Sequence, residues 1–174
     1  MKKLTAALIA GLFALGTTPA FSQSAAPNDA QIAGIVVAAN TVDIDAGKLA
    51  QKKSQNKEVK AFAKQMVTDH TGVNKQATAL VKKLKITPED SDTSKSLKES
   101  GDATLAKLKD LNGAQFDKAY VDNEVTYHQT VIDALDKTLI PNARNAELKD
   151  TLVKVRPAFV AHLEHAKHIQ ASLK

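Results

Sequence analysis

The 174-residue sequence has no cysteine and no tryptophan, and only seven glycines, five prolines, two tyrosines and five phenylalanines. Without cysteine there is no disulfide, no thiolate metal site and no cysteine-anchored lipid, so a core must hold the fold together unaided. So few glycines and prolines argue against a fold rich in tight turns. The near absence of aromatics removes the interleaved basic and aromatic pattern of a nucleic-acid surface. The charge excess is mild, +5 over the whole chain, and spread along it rather than clustered. It describes a solvated lysine-rich surface, with no nucleic-acid partner expected. No Gly-rich phosphate loop and no nucleophile elbow occurs, and no serine stands out as a placed nucleophile. No catalytic residue is assigned, and the reading leans away from an enzyme.

Long apolar runs are scarce as well. The longest, Leu4 to Leu15, follows "MKK" and precedes "GTTPAFSQ". A basic start, a short apolar run and a small-residue site read as a secretory signal peptide over residues 1–22, cleaved after Ser22. The run is too short for a comfortable membrane span. Residues 23–174 then form one domain, expected to be soluble and periplasmic, with no integral membrane segment. An envelope protein is one conceivable partner.

What is present is helical periodicity. Five helices and no strands are expected: Asp29 to Lys53, Lys57 to Lys85, Lys95 to Leu111, Ala114 to Leu139 and Ala146 to Ser172. Asn28 with Gln31 forms a candidate capping box, and Asn56 a candidate cap. "ITPEDSDTS" reads as a longer crossover, while "IPNARN" makes a short turn. Gly101 should weaken the third helix. Pro157 should kink the fifth without ending it, because the apolar period runs through it unchanged. The fold class is all-α: a four-helix bundle of the ferritin-like type, with the short third helix in the crossover.

Three of the four long helices carry one histidine on the apolar stripe: His70, His128 and His162. Asp43 lies at the edge of the first helix's stripe, Asp69 beside His70, and Glu124 one turn before His128. At about 1.5 Å per residue, the depths of Asp43 and His70 differ by roughly 6 Å and those of His128 and His162 by roughly 7.5 Å. Two readings remain open. One is a buried network in which each histidine bonds a carboxylate or a hydroxyl such as Tyr127 or Thr71. The other is a transition-metal site of His70, His128, His162, Asp43, Glu124 and Asp69, suited to zinc, copper, nickel or iron. A ferroxidase centre needs Glu-x-x-His on two helices, and no such motif occurs; Glu124 and His128 are four apart. His165 and His168 turn away from the stripe and read as solvated, with a weak surface metal site as the alternative.

"NKEVKAFAKQMVTDHTGVNKQ", "FDKAYVDNEVTYHQTVIDALD" and "VRPAFVAHLEHAKHI" together resemble an exported, ferritin-like family of unknown function often labelled "predicted outer membrane protein". The resemblance covers nearly all of the chain beyond residue 22. It implies a ferritin-like bundle and no established activity, and maps the family's Asp-His pair to Asp69 and His70 and its later histidines to His128 and His162. Where the family often has Glu-Ile before Gly-x-Leu-Ala, this sequence reads "DIDAGKLA", so the shorter Asp43 replaces a glutamate. The outer-membrane label does not suit a chain without alternating strands. Three roles follow as expectations: a binding or stress-related envelope protein with a buried His/carboxylate centre, a metal-dependent redox or storage protein using that centre, or an interaction module whose exposed patch is the third helix's leucines.

Overall fold

The computed structural model describes residues 26–173; the expected leader at 1–22 lies outside them. The architecture is all-helical. α1 (Asp29–Lys53) and α2 (Lys57–Leu84) are joined by three residues, and a crossover leads to α3 (Asp92–Asp110). α4 (Gly113–Ala134) runs through a π-helical segment (Leu135–Leu139) into a last turn (Ile140–Asn142), and α5 (Ala146–Ser172) closes the bundle. No strand occurs among the described residues.

Local chemistry sets these limits. The Asn28 side chain accepts from the Gln31 N–H while Gln31 returns a bond to the Asn28 N–H; Asn56 caps α2 by accepting from the Glu58 and Val59 N–H groups, and Asn145 caps α5 by accepting from those of Glu147 and Leu148. α2 stops one residue before the expected Lys85, which adopts a left-handed conformation, φ 54°. α3 begins three residues earlier than expected, because Ser91 and Ser94 form a reciprocal cap. α5 runs unbroken through Pro157, whose side of the helix faces solvent, so the carbonyl left without its N–H partner is next to water.

Neighbouring helices pack around the bundle in the order α1, α2, α5, α4, with α3 lying across α1. Gly101 makes that crossing close: a Cβ there would sit 2.7 Å from a Val42 methyl. The glycine expected to weaken α3 is therefore what lets it dock. The close approach also corrects the expected apolar patch on α3. Leu108 is buried and Leu97, Leu105 and Leu111 are partly buried against the core; the exposed large apolar side chain among the described residues is Val153. The crossover is docked too, through a 3.0 Å bond from the Glu89 N–H to the Ala30 carbonyl, and a Cβ on Gly34 would collide with the Glu89 carbonyl oxygen. Gly34→Ala should therefore cost about 1–3 kcal/mol in urea unfolding, the usual penalty of overpacking; an unchanged midpoint would contradict this docking.

Two apolar clusters fill the bundle. One, at the α1–α2 turn end, includes Phe62, Met66, Phe116, Tyr120 and Ile169. The other includes Ile32, Ile35, Ile132, Leu135, Leu152 and Phe159. Between them every long helix places a polar residue: Asn40 and Asp43 on α1, His70 on α2, Glu124 and His128 on α4, His162 on α5, all buried.

Candidate metal centre

The depth mismatch anticipated between α4 and α5 shrinks for a local reason. "IPN" belongs to the helix rather than to the turn, so the α4 rod ends at Asn142, not Leu139. Three further residues take up about 4.5 Å of the offset. Just before Pro141, which has no N–H to give, the backbone widens, and the Ile140 N–H reaches back to the Leu135 carbonyl.

The three imidazoles form a compact triangle, with ring centroids 5.6 Å apart for His70 and His128, 5.3 Å for His70 and His162 and 5.4 Å for His128 and His162. Each uses one nitrogen outward. His70 Nδ1 lies 2.7 Å from Asn40 Oδ1, and the Asn40 amide is oriented by its own Nδ2 donating to the Val36 carbonyl at 2.8 Å. His128 Nδ1 lies 3.0 Å from the Glu124 carbonyl. His162 Nε2 lies 3.0 Å from Asp69 Oδ2. All three outer partners can only accept, so the N–H of each neutral ring must sit on the outward nitrogen.

The inner nitrogens follow by subtraction. His70 Nε2, His128 Nε2 and His162 Nδ1 carry lone pairs, and all three are buried without a hydrogen-bond partner. Ligand atoms of the three histidines lie within 4.8 Å of one another, as do those of Asp43, Glu124 and His128. Asp43 Oδ2 stands 3.2 Å from His70 Nε2 and 3.5 Å from His128 Nε2. Four ligands at about 2.0–2.1 Å around a tetrahedral ion stand about 3.3–3.4 Å apart. The edges from Asp43 to His70 and His128 are close to that spacing.

Burial decides the charges. Desolvation pushes the Asp43 carboxyl up to about 8. Glu124 moves well above the ordinary carboxylate range, first by desolvation and then by the nearby Asp43. His70 falls to about 2, through desolvation and then the neighbouring His128 and His162, and His128 falls to about 4, mainly through desolvation. Desolvation also lowers His162, partly opposed by Asp69. No lysine or arginine is buried among the described residues. With no protein cation among them, the metal-free centre thus holds neutral imidazoles and two carboxyls that keep their protons at neutral pH.

Asp69 and His70 part company at once, since adjacent helix positions point about 100° apart. His70 faces inward, while Asp69, its side chain 41% exposed, bridges from α2 to His162 on α5. Asp43 and Glu124 join the three histidines inside; Asp69 stays at the rim. Tyr127 is not a histidine partner, because its hydroxyl donates to the Ala39 carbonyl at 2.8 Å, and no hydrogen bond joins Thr71 to a histidine. Asn40 escaped the sequence reading. Its signal is a second polar residue three before Asp43 on the same helix face. Tyr120, fully buried beside Glu124, is a second omission. His165 and His168 lie outside the centre, with the His165 ring edge-on to Phe62, centroids 5.2 Å apart.

A family model described as "Domain of unknown function (DUF4142)" matches residues 15–169. No curated protein matches the chain. Among solved structures, a secreted DUF305 protein from Streptomyces coelicolor superposes with a TM-score of 0.67 at 12% identity, covering 82% of this chain and 91% of that one. CopM in its Cu(II)-bound form gives a TM-score of 0.66 at 13% identity, covering 86% of this chain and all of that one. At such identities the likeness is one of fold.

Proposed function

We propose, from the premise that the chain belongs to the DUF4142 family, that it is an exported protein binding one transition-metal ion inside its bundle. His70 Nε2, His128 Nε2, His162 Nδ1 and Asp43 would be the ligands. The observation that carries this reading is the set of three inward lone pairs without partners. A self-contained network needs a donor for each. The outward bonds have consumed every imidazole N–H, and protonated Asp43 and Glu124 supply at most two protons for three acceptors. A cation satisfies all of them and balances the carboxylate. Asn40, the Glu124 carbonyl and Asp69 then act as the outer partners that orient the ligating rings.

Three imidazoles and a carboxylate suit Zn(II), Cu(II), Ni(II) or Fe(II), and a nitrogen-rich site holds Cu(II) most tightly. The fold shared with CopM, described in a Cu(II)-bound form, fits this ordering. The secretory leader read from the sequence of residues 1–22 and the secreted DUF305 neighbour support action in the periplasm. No helix among the described residues is long and apolar enough to cross a membrane. Binding for storage, buffering or stress protection is the role proposed; redox turnover at the same ion is the second reading, favoured by the buried Tyr120 near Glu124.

Elemental analysis of protein purified without an affinity tag tests the core of this. After loading and gel filtration, about one equivalent of copper or zinc per chain should remain. Metal at background level after loading would overturn the proposal.

A further inference from the structure

Next to the polar layer lies a cavity of about 200 Å³, bounded by α1, α4 with its π-helical segment, and α5, with α3 at its mouth. Its wall is mostly aliphatic. The π-helical segment contributes Leu135 and Leu139, and Phe159 closes the side toward the histidines. Of the four polar side chains on the wall, Asn40, Thr93, Thr130 and Thr138, two are spent. Asn40 uses its amide on Val36 and its oxygen on His70, and the Thr130 hydroxyl donates to the Thr126 carbonyl. A π-helical turn carries an extra residue and so spreads the side chains on either side of it; such turns recur at ligand sites.

The cavity has a way in. An open groove of about 550 Å³ between α3 and α4 shares Thr93, Leu97 and Thr130 with it. Leu97, on the docked α3, stands at the junction. The far wall, Phe159, packs on His70 and His128 at centroid distances of 5.1 and 6.1 Å. An occupant would thus sit one aromatic ring away from the histidine triangle.

We propose that this cavity binds a small apolar molecule, up to the size of one aromatic ring with a short substituent, entering between α3 and α4. Three observations set that class. The volume exceeds the roughly 150 Å³ of an apolar cavity known to take benzene or xenon, yet is too small for two rings. The lining offers only the Thr93 and Thr138 hydroxyls as free hydrogen-bonding groups and is otherwise apolar, so a strongly polar ligand would be stranded and water is poorly held. The mouth is a gap between helices rather than a broad cleft, which excludes a peptide. The inference is independent of whether a metal binds.

Metal-free protein with benzene as the probe tests it. Benzene at ten times its dissociation constant should raise the melting temperature by about 3–6 °C. Ala134→Leu, which fills the cavity, should fold and abolish the rise. On the unaltered protein, xenon pressurisation should shift the methyl resonances of Val131, Leu135 and Leu139 and leave those of Val59 and Val121, in the other cluster, in place. A flat melting temperature together with unmoved methyls at Leu135 and Leu139 would overturn the proposal. So would a benzene effect of equal size in a folded Ala134→Leu variant.

Discussion

Copper(II) or zinc(II) at a free concentration of one hundred times its dissociation constant should raise the melting temperature by about 5–10 °C, and His128→Leu should abolish the rise. A ligand that binds only the native state stabilises it by about 2.7 kcal/mol at that saturation, and a domain of this length gains about 2–4 °C per kcal/mol. His128 is the sharpest choice, because it belongs both to the histidine triangle and to the group with Asp43 and Glu124. Leucine is close in volume and apolar, so the metal-free variant should still fold. Asp69→Asn should have a milder effect. Its side-chain oxygen can still accept from His162 Nε2, but without the charge that makes the imidazole a better donor of its lone pair, and such outer-partner changes weaken affinity about ten- to a hundredfold. His165→Ala should leave the metal effect intact. An undiminished rise in His128→Leu, or its loss in His165→Ala, would place the ion elsewhere.

The second expected result concerns pH. Between about pH 6.5 and pH 8 the metal-free protein should lose stability, by up to about 1.4 kcal/mol per pH unit for one proton. Asp43 holds its proton up to about 8 in the native state, against an ordinary value of 3.8. The unfolded chain has released that proton in this range, so the native state binds more protons and stability falls as pH rises. Glu124 is shifted in the same direction and adds to the fall. Below about pH 6.5 the histidines act oppositely. His70 and His128 stay neutral down to about 2 and about 4, while the unfolded chain protonates them, so stability rises with pH through that window. The two trends place the maximum near pH 6 to 6.5. Asp43→Asn should flatten much of the descending limb and make the metal-free protein about 2 kcal/mol more stable at pH 8, while weakening metal binding. A bound cation requires the Asp43 proton to leave, so metal stabilisation should grow as pH approaches 8. Urea unfolding at three pH values decides the matter: a rising limb above pH 6.5, or an identical slope in Asp43→Asn, would refute the assignment.

Much of this molecule is readable along the chain. The four-three alternation of apolar residues and the asparagine caps at Asn28 and Asn56 are local signals, so α1 and α5 have the expected limits and α2 the expected start. The same alternation exposes His70, His128 and His162, because a polar residue on an apolar stripe is visible without knowing what it meets. Other features depend on contacts far apart in sequence. Gly101 looks like a weak point in a helix until Val42 lies against it. The α3 leucines look free until α1 covers them. "IPN" looks like a turn until the wider backbone before Pro141 carries the helix through it.

The centre divides along the same line. Residue identity alone determined that histidines and carboxylates would be buried, because helical periodicity is a property of adjacent turns. Which nitrogen of each ring points inward depended on Asn40, the Glu124 carbonyl and Asp69, two of them on other helices than the ring they hold. A hydrogen bond across helices has no trace in local spacing. The tertiary fold therefore decided that three inward ring nitrogens lie close together with Asp43 beside two of them, the arrangement on which the proposed cation site rests.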